Sequence, residues 1–172
     1  MDFNEVIKNR RSVREFDGEP VTDEDLEKIL ELVNQAPSAG NLQAYEVLVV
    51  RNKEKKEALV EAAYGQDLLS EAEAVLVFVA DRNKSGIKYN KRGEELYCVQ
   101  DATIAAAYCE LAATSLGIGS CWVGAFDPNE VRKIFNLSES QVPVALIPLG
   151  QYEKLPEPTS RRDVDDLVKK FD

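Results

Sequence analysis

Apolar positions along this chain recur first at helical spacing and later in short continuous runs. Phe3, Val6 and Ile7 share one face of a helix predicted over residues 2–9, with Asp2 placed to cap it. Thr22 opens a second helix with Asp23, Glu24 and Asp25 in its positive first turn. Leu26, Ile29, Leu30 and Val33 form its buried stripe, and Pro37 ends it. Residues 36–43 read as a turn-rich loop, and Val47–Val50 as a buried strand. A helix from Lys53 to Tyr64 turns Leu59, Val60 and Ala63 inward. Ala74–Ala80 is an unbroken apolar run of the kind buried on both faces of a sheet. Residues 81–93 are polar and contain glycine, which predicts an exposed loop able to act as a lid.

The stretch from Glu94 to Phe126 reads as the centre of the molecule. Leu96, Val99, Ala102, Ile104, Ala106, Leu111 and Ala113 leave no wide polar stripe, so this helix belongs inside. Gly117 supplies a left-handed stop, and Gly119–Gly124 reads as a short strand bounded by glycines. Asp127 and Pro128 start another helix as cap and first residue, with Val131, Ile134 and Phe135 inward. Val142–Leu149 is the last strand, interrupted by Pro143 and ended by Pro148, which places it at a sheet edge or makes it irregular at its ends. In the tail, Leu155, Val164, Leu167, Val168 and Phe171 call for a surface to pack on, in the same domain or on a second chain. Nothing divides the chain, so residues 1–172 are expected to form one α+β or α/β domain.

Composition narrows the chemistry. A net charge of −10 disfavours nucleic acid and anionic membrane surfaces as partners. No apolar run reaches membrane-spanning length and the N-terminus does not read as a signal peptide, so the expected compartment is the cytoplasm. Cys98, Cys109 and Cys121 are widely spaced and suit small core positions better than a disulfide framework or zinc site. The absence of histidine removes Ser-His-Asp and Cys-His catalysis. An enzyme of this composition would rely on a cofactor for its difficult step. Neither a P-loop nor a G-x-G-x-x-G turn occurs. Five of the nine arginines fall in two clusters, Arg10-Arg-Ser-Val-Arg14 and Arg161-Arg162, a pattern suited to a phosphate. In the 36–43 loop, Ser38, Asn41 and Gln43 suit hydrogen bonding to a ring edge.

Four stretches in order resemble the nitroreductase family of FMN-dependent oxidoreductases. They are Arg10–Arg14; Pro37-Ser-Ala-Gly-Asn-Leu-Gln43; the central Gln100-Asp-Ala through Leu116-Gly-Ile-Gly with Trp122-Val-Gly124; and Gly150 with the prolines and arginines after it. The resemblance covers essentially the whole chain. It implies a central mixed sheet flanked by helices, built as an intertwined homodimer with FMN at the subunit interface and residues 152–172 packed on the partner. It implies that Arg10 and Ser12 hold the FMN phosphate and ribityl chain, that Arg11 is a further candidate there, and that Arg14 lies at the pyrimidine side of the ring. Pro37, Ser38, Ala39 and Asn41 of the other chain would touch the ring. Trp122, Val123 and Gly124 would lie beside it, with a backbone N–H reaching flavin N5, while Arg161 and Arg162 would close the phosphate site. No side chain is then needed as acid or base, because the flavin carries the chemistry. The implied activity is ping-pong hydride transfer from NADH or NADPH to a small-molecule acceptor such as a nitroaromatic, a quinone or a flavin. Three other readings stay open: a flavin-binding protein without turnover, a branch that performs dehalogenation or flavin fragmentation, and a cofactor-free structural homodimer.

Overall fold

The computed structural model describes residues 1–17 and 20–171. The sequence-encoded caps form as expected. At α1 (Phe3–Asn9) the Asp2 carboxylate accepts the Glu5 N–H at 2.9 Å while Glu5 accepts the Asp2 N–H at 2.8 Å. Thr22 and Asp25 make the same reciprocal pair at the start of α2 (Asp23–Val33), and such a cap is worth about 1 kcal/mol. β1 (Tyr45–Val50) leads to α3 (Lys53–Ala62), the short α4 (Leu68–Glu71) and β2 (Ala74–Asp81). Then come α5 (Arg82–Arg92), the π turn Gly93–Tyr97 and α6 (Cys98–Ser115). β3 (Gly119–Ser120), α7 (Pro128–Phe135), β4 (Gln141–Gly150) and α8 (Val164–Leu167) complete the order.

The sheet runs β1-β2-β4-β3. Its ladders are antiparallel, and a single bridge between Ser12 and Ser120 adds the parallel element. Burial on both faces explains why β2 is apolar at every position but the last. Leu76 and Phe78 join the core with α2 and α6, while Val75, Val77 and Val79 meet α3, α7 and Val123 on the opposite face. Each of these large side chains contributes roughly 1.5–3 kcal/mol by leaving water. α6 buries Cys98, Asp101, Ala102, Ala105, Ala106, Cys109, Ala112 and Ala113. It stops at Gly117, where φ is 75°.

Three expectations change. Residues 82–92 are helical on both sides of a break at Asn90 (φ 50°), not a loop: Asp81 caps α5 by accepting the Lys84 N–H at 3.0 Å, and the segment folds back so that Gly93 packs on the Ser85 backbone. That contact is tertiary, and no apolar periodicity announces it. β4 is an internal strand, not an edge, and of the two alternatives it takes the irregular one. Leu146 donates its N–H to Val123 at 3.0 Å, so by alternation the nitrogens of Leu146, Pro148 and Gly150 face the β3 side. The missing proton of Pro148 falls between the Val123 bridge and the two-residue β3, where no ladder needs it. Pro143 lies at the register shift opposite Phe78 and Val79, the kind of bulge that admits proline. β1, expected to be buried, is instead one of the two outer strands, and only Val50 in it is fully buried.

Candidate functional site

Two close approaches fix the first arginine cluster. Val13 donates its N–H to Ser120 O at 2.9 Å, laying residues 12–13 along β3. A Cβ on Gly119 would meet Val13 Cγ1 and Tyr152 Cδ1 at 2.9 Å, and one on Gly150 would meet Phe16 Cδ1 at 2.6 Å. Any larger residue at either glycine would lift the segment off the sheet. From the other side Glu153 donates its N–H to Asp17 Oδ1 at 2.7 Å and Asp17 donates to Gln151 O at 3.2 Å, which ties the start of the tail to the same segment.

Between them run two adjoining hollows of about 310 and 220 Å³, with Ser12, Arg14, Pro156 and Glu157 in both walls. The smaller is lined further by Arg10, Arg11, Pro158, Thr159 and Arg161. The arginines differ in what they already hold. Arg10 Nη1 stands 3.7 Å from Glu110 Oε1, a largely buried carboxylate on α6. Burial pushes the Glu110 carboxyl above the ordinary carboxylate range, and Arg10 draws it back. Arg11 Nη1 donates to Lys8 O at 2.7 Å and Arg10 O at 3.0 Å, so it closes the end of α1, while its buried Nε has no partner among the described residues. Arg14 is exposed and makes no ion pair among the described residues. Arg161 Nη1 rests on Thr159 Oγ1 at 2.7 Å and Ser160 O at 3.1 Å. Arg162 is exposed and does not line the cleft. The buried Ser120 Oγ, beside Ser12, is also without a partner among the described residues. Cys121 is a buried thiol pushed up by burial, against the pull of Arg14 and Ser12, so it is a poor nucleophile here.

The loop of the second motif is built elsewhere in the chain. Gly40 and Asn41 both have φ 57° and Gln43 has φ 48°, a left-handed path that non-glycine residues adopt only when held. Asp101 of α6 holds it: Oδ1 accepts the Ala39 N–H at 2.8 Å and Oδ2 the Ala44 N–H at 3.4 Å. Ser38 Oγ accepts the Gln43 N–H at 2.9 Å. Burial pushes the Asp101 carboxyl up and these two N–H groups hold it down. Ala39 lines a separate open hollow of about 450 Å³ with Tyr97, Val99, Gln100, Asp101, Thr103 and Ile104. Pro37, Ser38, Ala39 and Asn41 therefore do not join Arg10–Arg14 within one chain.

Trp122 is half-buried against the α2–α6 core, and Val123 is buried. The Val123 N–H is already donated to Leu146 O at 3.0 Å, which leaves the N–H of exposed Gly124 as the candidate donor at that corner. Sequence reasoning missed Glu110 and Asp101. The available signal was a carboxylate in each case set among apolar residues of a helix that buries most of its faces.

The chain belongs to the Nitroreductase family, whose model matches residues 7–68 and 61–151. It is 31% identical over 195 residues to NADH dehydrogenase of Thermus thermophilus, covering 98% of this chain and 95% of that one. It is 34% identical over 164 residues to FMN reductase (NAD(P)H) of Bacillus subtilis, covering 86% of this chain and 66% of that one. Its fold matches that of a nitroreductase family protein from Clostridium difficile with TM-score 0.86 and 29% identity, over 98% of each chain. No helix among the described residues is long and apolar enough to cross a membrane.

Proposed function

We propose that this chain is an FMN-dependent NAD(P)H oxidoreductase that works as a homodimer. The observation that carries the reading is the cleft in which Arg10, Arg14 and Arg161 converge with Ser12. Its chemistry fits a dianionic phosphate: guanidinium groups supply paired donors, and the unpartnered Arg11 Nε and Ser120 Oγ mark donor capacity the chain itself leaves unused. Arg10 and Ser12 would hold the FMN phosphate and ribityl chain, with Arg161 closing over them. Arg162 stands outside the lining, so it serves at most as a longer-range charge. Arg14 would face the pyrimidine side of the ring and Gly124 would offer it a backbone donor. The loop Pro37–Asn41 would reach that ring from the second chain, since its own chain places it away from the cleft. On this reading residues 1–172 are one domain whose tail, from 152, lies on the partner; the last of these residues, Asp172, lies outside those described. The expected compartment is the cytoplasm.

Bound FMN would supply ping-pong redox chemistry, taking a hydride at N5 from NADH or NADPH and returning the electrons to a nitroaromatic, quinone or flavin acceptor. The protein's task is to position and to neutralise. Asp101 fixes the loop, Glu110 orients Arg10, and no titrating side chain is required at the reacting atoms.

The cofactor's identity is the first check. Acid extraction of the purified protein should release FMN, because one cationic cleft suits one terminal phosphate. Recovery of FAD, or a colourless protein that ignores added FMN, would overturn the proposal.

A further inference from the structure

α5 stands apart in charge. Its eleven residues include Arg82, Lys84, Lys88, Lys91 and Arg92 and no carboxylate, on a chain of net charge −10. Other helices offset their cations internally: Lys28 pairs with Glu24 at 2.7 Å on α2 and Lys53 with Glu57 at 3.8 Å on α3. On α5 only Lys91 has a carboxylate partner among the described residues, Glu95 in the following turn at 3.6 Å. Lys84 and Lys88 are spaced i, i+4, where like charges destabilise a helix. An ordinary solvated helix on an acidic protein has no reason to keep that arrangement.

The position of the helix suggests one. Lys88 Nζ and the Tyr89 hydroxyl crowd Gly40, where an added Cβ would overlap both, so α5 leans on the Pro37–Asn41 loop. The rings of Tyr89 and Tyr97 meet edge to face with centroids 5.1 Å apart. Lys88 Nζ lies 5.4 Å from the Tyr89 centroid, and the Arg92 guanidinium lies 5.4 Å from that of Tyr97. Arg92 Nε also donates to the Tyr97 hydroxyl at 3.0 Å. Tyr97 in turn forms part of the wall of the 450 Å³ hollow shared with Ala39 and Ile104. Of these residues Tyr97 lines the open, mostly apolar hollow, with Arg92 held over its ring, and Lys88 packs on Gly40 of the loop assigned to the flavin ring. Any donor stacked on that ring has a flat head and a phosphate-bearing tail, and α5 is the cationic element next to the loop.

We propose that α5 is the docking strip for the anionic tail of the nicotinamide donor, with Lys88 and Arg92 as its fixed contacts and Lys84 extending it, and that the chain therefore favours NADPH over NADH. This rests on the reading of Pro37–Asn41 as a wall of the flavin ring. Arg82–Tyr89 rises ~12 Å before the backbone breaks at Asn90, whose φ is 50°, and Arg92 follows that break, so the cations lie on two short segments that together can meet a diphosphate and a further phosphate group. The 2′-phosphate raises the donor's negative charge, so it gains more than NADH does from Lys84, Lys88 and Arg92, which form no ion pair among the described residues, and the Glu94 carboxylate packed over Gly86 limits that gain. Lys88 and Arg92 are ordered by their aromatic contacts, which lowers the entropy lost when a phosphate is gripped.

The test is calorimetric titration of the FMN-loaded protein with NADP⁺ and NAD⁺, at low and high salt. NADP⁺ should bind roughly tenfold more tightly than NAD⁺, with a gap that narrows as salt rises. The double variant Lys88→Gln, Arg92→Gln should lose roughly tenfold in NADP⁺ affinity while keeping its FMN, and Lys88→Arg should retain the preference. Lys84→Gln, at an exposed position without a contact to break, should weaken NADP⁺ in the same direction should the double variant misfold. Equal affinities for the two nucleotides, or an FMN-loaded variant indifferent to the substitutions, would overturn the docking strip alone. A parent protein that never retains FMN would instead sink the proposed function.

Discussion

Removal of residues 153–172 should cost the protein both its FMN and its second subunit. Lys154–Arg161 form one wall of the cleft, and without them Arg10, Ser12 and Arg14 face open solvent. Loss of the Arg161 contact and of that wall should weaken FMN by about 3 kcal/mol, roughly a hundredfold. The same segment carries apolar side chains that its own chain leaves uncovered: Val164 is 69% and Phe171 92% exposed, with Leu167 and Val168 between them. At the other end Phe3 on α1 is 72% exposed. Unpartnered apolar groups at both ends of the chain suit burial against a second copy. Sedimentation of the truncated protein at low micromolar concentration should show a monomer, while the full chain shows none. A truncated protein that stays dimeric and yellow would contradict this.

Arg10 and Arg14 should fail in different ways. Arg10 is backed by the buried Glu110 and would grip a phosphate whose charge is the same in oxidised and reduced flavin. Arg10→Ala should weaken FMN by roughly 1.5–3 kcal/mol, with activity restored by excess FMN. Arg14 has no carboxylate partner among the described residues. At the pyrimidine edge it would meet a charge that grows on reduction. Its loss should leave occupancy closer to normal and lower the midpoint potential by about 20 mV, the equivalent of about 1 kcal/mol for a partly exposed pair. Hydride transfer should then slow even when the site is saturated. The two quantities to compare are the FMN dissociation constant and the potential of each variant. Equal potential shifts, or an Arg14→Ala protein with unchanged potential, would contradict the division of roles.

Much of this architecture was readable because the deciding interactions are local. Asp2, Thr22 and Asp127 cap the helices that follow them, and each cap is settled within a few residues. β2 declared itself as a strand buried on both faces by being apolar at every position but the last. What the sequence hid depends on distant partners. The proline rule left β4 at an edge or irregular, because the place where a ladder stops needing an N–H is set by β3, some 20 residues upstream. α5 lacks an apolar stripe and is held by the turn that folds back over Ser85. Among the site residues the arginine clusters stood out by composition. The carboxylates that arrange the site did not: Asp101 reaches a loop 62 residues away, and Glu110, in the middle of the chain, pairs with Arg10 near its start.

The central claim is that electrons pass from a nicotinamide donor to an acceptor through FMN held by this chain. It is tested most directly by anaerobic titration of the purified, FMN-loaded protein followed by its visible absorbance. The account predicts that one equivalent of NADPH per bound FMN bleaches the flavin band, and that a quinone or nitroaromatic added afterwards restores it with the donor already consumed. A flavin band that NADPH and NADH both leave untouched, or one that bleaches and then ignores every acceptor, would contradict it.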